Sequence, residues 1–165
     1  MWTRWNELQS RFQGQDGNWW TERCTRPKTR RALRTVAQRI RAADLKRVPG
    51  KIVVFAPDPK VAGSVCERRK NFSRVKYFLY LSPQLEVIPQ SEVDSIVAHE
   101  FAHLVLKDWT TARSNYGPGG TLIPCEKAAD EMMESWGFAP MNRDRCAHDL
   151  LCKTVRATRR RSRLQ

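Results

Sequence analysis

At 165 residues the chain is sized for one domain with extensions, and is long enough to bury a core without disulfide staples. Thirty Lys and Arg against 17 Asp and Glu leave a formal charge of +13, which favours an anionic partner such as nucleic acid or a membrane surface. A 41% apolar fraction with six tryptophans excludes a wholly disordered chain, and no apolar run approaches the ~20 residues of a membrane span. Met1–Ser10 lacks the apolar centre of a signal peptide, and Cys24, Cys66, Cys125, Cys146 and Cys152 form no CxxC pair, so reduced thiols in a cytoplasm are expected.

Trp2, Trp5, Leu8, Gln9 and Phe12 fit one face of a short helix, and residues 1–26 as a whole read as a Trp-rich arm packed on the domain, with ligand stacking on the tryptophans as the alternative. Thr29–Arg47 reads as one helix with Leu33, Val36, Ala37, Ile40 and Ala43/Leu45 as its apolar stripe, ended by Val48-Pro49-Gly50. Its other side carries Arg30, Arg31, Arg34, Arg39 and Arg41, a solvated face or a nucleic-acid contact. Three β-rich runs follow, Lys51–Ala56, Val61–Cys66 and Val75–Leu81. They predict a small, mainly antiparallel three-stranded sheet in an α+β domain with N-terminal helices. From Ser91, with Asp94 three residues on as a capping box, the period becomes helical through Val93, Ile96, Val97, Phe101, Leu104 and Val105. A Gly- and Pro-rich loop, Ser114–Pro124, precedes a last helix, Cys125–Trp136, stopped by Gly137. Residues 27–152 make up the domain, and 153–165 form a basic tail expected to lack fixed structure until an anionic partner meets it.

The chemistry concentrates in Ser95–Leu106, SIVAHEFAHLVL. His99 and His103 stand four apart, so both imidazoles leave one face of a helix and can reach one metal ion. Glu100 is rotated about 100° from His99, outside the ligand set but within reach of water at the metal. The rest of the segment is apolar apart from Ser95, which describes a buried helix. Buried imidazoles and a carboxylate are costly without a partner, and a divalent cation is one. The competing reading is chance spacing in a core helix.

Glu126 and Asp130 are also four apart, where like charges destabilise an exposed helix by a few tenths of a kcal/mol. Glu126 on the metal, with Asp130 holding a ligand histidine by its other nitrogen, relieves that pair. A solvated acidic face is the plainer alternative. His148, the one remaining histidine, is the other candidate third ligand, because the HExxHxxGxxH pattern fails at Leu106 and Trp109. Cys146, His148 and Cys152 form CxHxxxC, either a minor structural metal site with Cys125 or idle thiols on a final short helix.

HEFAH followed by EKAAD resembles the gluzincin metallopeptidases, and within them looks most like the ImmA/IrrE-like small bacterial and phage zinc peptidases, over roughly Tyr77 to Phe138. The resemblance implies one Zn2+ on His99, His103 and Glu126, with Glu100 as general base and Asp130 behind a ligand. It implies an active-site helix and a second metal-ligand helix against the sheet, with Val75–Leu81 as the edge that aligns an extended peptide. Metal-assisted hydrolysis of a protein or peptide follows, in a bacterial or phage-infected cytoplasm, with Tyr116 or His148 as an added donor to the transition state. No helix-turn-helix is evident and the termini match nothing in the family, so no target is implied. Two alternatives stand beside it. One is a DNA-associated protease resembling the SprT-like peptidases, favoured by the basic tail and opposed by the missing close histidine. The other is a non-enzymatic nucleic-acid-binding protein that retains a metal site and uses its basic helix and tail.

Overall fold

The computed structural model describes residues 3–13, 26–55, 63–67, 77–107 and 124–140. Helix α1 (Arg4–Gln9) starts at Thr3, whose side chain accepts the Asn6 N–H. It buries Leu8 completely and leads into β1 (Phe12–Gln13). Helix α2 (Pro27–Arg39) begins with proline in its first turn and turns Thr29, Ala32, Leu33, Val36 and Ala37 inward. Its N-terminus is capped from elsewhere in the fold. The Lys28 and Thr29 N–H groups donate to the Glu86 carboxylate, at 3.0–3.2 Å, on the 3-10 turn Pro83–Val87. A carboxylate there also suits the positive end of the helix dipole.

The single helix expected over Thr29–Arg47 is two. The chain leaves helical geometry at Ile40 and Arg41, and α3 (Ala42–Arg47) follows at a new angle. Five residues on a continuous helix rotate a side chain about 140°, so Leu45 would have faced water with Ile40 inside. The break lets Ile40, Leu45 and Val48 all bury.

Strands β2 (Ile52–Phe55), β3 (Gly63–Glu67) and β4 (Tyr77–Leu81) fall within the three expected runs, apart from the last residue of β3. Their arrangement differs from the expectation. Among the described residues the sheet has four strands in the order β1-β2-β4-β3, with β1 parallel to β2, β2 parallel to β4, and β3 antiparallel to β4. The mainly antiparallel three-stranded sheet is therefore corrected to a mixed one. Val75–Leu81 is corrected as well: β4 is paired on both sides and cannot be an edge. Register explains the choice. Phe12, Ile52 and Tyr77 lie abreast, as do Val54 and Leu79, so one apolar row crosses the sheet and faces the core.

That row packs on helix α4 (Gln90–Leu106), with Phe12 edge-on to Phe101 at 6.2 Å. Helices α2 and α5 (Pro124–Ser135) pack on α4 as well. The expected capping box at Ser91 does not form. Pro89 precedes the first turn and accepts the Glu92 and Val93 N–H groups, which places Ser91 inside the helix. Gln90 instead donates to Asp94 at 2.7 Å and to the Lys28 carbonyl.

The C-terminal end of α5 is held at several points. Gly137 N–H donates to Glu134 O and Phe138 N–H to Met133 O, with Gly137 at φ +84°, a Schellman ending. The Arg39 and Arg41 side chains donate to the Gly137 and Ser135 carbonyls, and the Trp136 indole donates to Asp44. Ser95 of α4 donates to the Ala139 carbonyl. A Cβ added at Gly137 would meet nothing within 4 Å, so its requirement is the backbone conformation alone. Gly137→Ala should therefore lower stability by about 1–2 kcal/mol, read as a lower urea midpoint with an unchanged denaturant slope.

Candidate metal centre

His99 and His103 project from α4 toward α5, where Glu126 occupies the first turn. The two histidine Nε2 atoms are 3.0 Å apart, with the rings nearly perpendicular. Glu126 reaches both: Oε2 lies 3.1 Å from His99 Nε2 and Oε1 3.6 Å from His103 Nε2. All three residues are buried. A small divalent cation bound tetrahedrally at about 2.0–2.1 Å separates its ligand atoms by about 3.3 Å. The observed separations bracket that length, so the donor set fits such an ion. Among the described residues this is the group of His, Cys, Asp or Glu side chains that could hold a metal.

Asp130 lies one turn beyond Glu126 and places Oδ1 2.9 Å from His99 Nδ1. That contact orients the ring with Nε2 toward the cluster. The like-charged pair on α5 is thereby divided, with Glu126 against both imidazole Nε2 atoms and Asp130 behind His99. Lys127 and Glu131, on another face of α5, form an exposed ion pair at 3.8 Å.

Three carboxyl groups surround the two imidazoles. Burial alone would lower the pKa of His99, but the carboxylates of Asp130 and Glu126 at its two ring nitrogens outweigh it and raise the value to about 9. Glu100 is 8% exposed. Burial pushes its carboxyl above the ordinary range, against the pull of His99 and His103, while Glu126 pushes in the same direction as burial. A cation between the imidazoles would replace the proton that His99 otherwise takes.

The structure thus places His99, Glu100, His103, Glu126 and Asp130 together. Tyr116 and His148, the two expected extra donors, lie outside the described residues, as do Cys146 and Cys152 of the CxHxxxC pattern and the basic tail. Cys125 precedes Glu126 on α5 and is partly exposed.

The raised His99 value has a signed consequence. Below about pH 9 the ring carries a proton that a metal must displace, so apparent affinity should rise with pH up to that point, with proton release on binding. Titration calorimetry in buffers of different ionisation enthalpy measures the proton directly. In the same assay Glu126→Ala should abolish tight binding, and Asp130→Ala should weaken it about 10–100-fold.

Comparison with known proteins found no match among family models, curated proteins or solved structures.

Proposed function

We propose that the chain is a zinc-dependent endopeptidase, and the observation that carries this reading is Glu100 buried beside a convergent His99–His103–Glu126 cluster. Two imidazoles and one carboxylate are a donor set suited to zinc, and three protein ligands leave a position open. A zinc ion held there would supply Lewis acidity, lowering the pKa of water toward ~7 and polarising a carbonyl.

The remaining work belongs to the chain. Glu100 has no place among the three ligands, and its elevated carboxyl pKa suits a group that accepts a proton from water and passes it to the departing amine. Asp130 keeps His99 oriented through the cycle. A binding site alone would need the histidines and Glu126 but not a buried fourth acid, which favours hydrolysis over a purely structural metal.

A peptide substrate needs a sheet edge to align it, and β4 cannot serve. Strand β3 can: it is an outer strand of the sheet among the described residues, and it packs against α4. An extended substrate would pair with the outer side of β3 and pass the ends of His99 and His103.

Glu100→Gln tests the reading. The variant should retain one zinc per chain and the same thermal midpoint, while hydrolysis of a casein or peptide-library substrate falls about 10²–10⁴-fold. Equal cleavage by the wild type and this variant would rule out the assigned base.

A further inference from the structure

We infer that the outer face of α1 and α2 is a binding site for single-stranded nucleic acid. The buried face of α2 packs on α4, which turns Arg31, Arg34 and Gln38 the other way, with Arg30 one turn before Arg34. Helix α1 lies alongside. Arg4 donates to the Gln38 and Ile40 carbonyls at 3.1 and 3.2 Å, tying the two helices together. Between them is a pocket of about 480 Å³ lined by Thr3, Arg4, Trp5, Arg34 and Gln38. Within it the Arg34 guanidinium lies 5.6 Å from the centre of the Trp5 ring.

This pairing of features is specific. Arginine presents a planar, permanently charged fork to phosphate, and tryptophan presents a π face on which any base can stack. Residues 3–13 and 26–48 hold two acidic residues, Glu7 and Asp44. Glu7 faces Arg11, and Asp44 is engaged by Trp136 and Arg47. The whole-chain charge of +13 adds long-range attraction. A membrane surface would need apolar side chains to insert, and among the described residues the large exposed one is Val87, on the 3-10 turn. The site lies apart from the metal cluster, so the inference does not depend on the peptidase reading.

The test is fluorescence anisotropy of a labelled oligothymidylate of about 12 nucleotides, within the usual range for single-strand sites. It is run on the full chain with Arg159, Arg160, Arg161 and Arg163 changed to Gln, which removes the tail's charge from the comparison. Arg34→Gln should weaken binding several-fold and flatten the plot of log affinity against log salt by about 0.7. Trp5→Ala should cost about 5- to 100-fold, and Trp5→Phe, which keeps a π face, should recover most of it. Glu100→Gln should bind as the parent does, and a duplex of equal length should bind more weakly. Unchanged affinity and slope in folded Arg34→Gln overturns the site, as does Arg34-dependent binding to phosphatidylserine vesicles with none to the oligonucleotide. If Trp5→Ala fails to fold, the double variant Arg31→Gln/Arg34→Gln decides alone: no loss of affinity or slope overturns the site.

Discussion

The structure depends on placing ionisable groups in the middle of an apolar helix. Twelve of the seventeen residues of α4 are buried, and His99, Glu100 and His103 are among them. Charges in that environment are expensive unless met at close range, and the penalty fixes what must stand opposite. Helix α5 supplies the answer with Glu126 and Asp130, so the position of α5 is an electrostatic requirement as well as a packing one. Ala129 and Met133 bury the same helix against the core, and the carboxylates share that inward side.

Holding α5 in register falls to groups distant in sequence. Arg39, Arg41 and Asp44 from the α2–α3 region bind its C-terminal end, while Ser95 binds the segment just beyond. Two of the arginines that raise the net charge, Arg39 and Arg41, therefore serve as caps for carbonyls at this end. Arg31 and Arg34 are exposed on the outward face of α2. One basic helix thus divides its arginines between architecture and surface potential.

Much of the centre was legible because it is local. The i,i+4 spacing of His99 with His103 and of Glu126 with Asp130 sets their faces once each segment is helical, and the apolar surroundings mark α4 as buried. The helix break at Ile40 had a signal too, since Leu45 is out of phase with the stripe from Leu33. Pro89 was a stronger start signal than Ser91, because proline cannot sit deep in a helix but readily precedes one. Strand order was not legible. Parallel pairing of β2 with β4 depends on the path of the whole chain, and short apolar runs such as IVVF and YFLYL read alike in either direction. The pocket beside Trp5 escaped for the same reason: it exists only after α1 docks on α2.

The two ends of the sheet are unequal, and that bears on which strand another chain could extend. On one side β2 is covered by a strand of only two residues, anchored by the Ile52 N–H to the Arg11 carbonyl and by the buried Phe12 ring. So short an outer strand offers little template for another chain to extend. Loss of the first thirteen residues would uncover the edge beside Ile52 and Val53, an apolar, β-branched stretch with no charge to deter pairing. The N-terminal segment thus covers an edge of β2 that would otherwise be open to pairing.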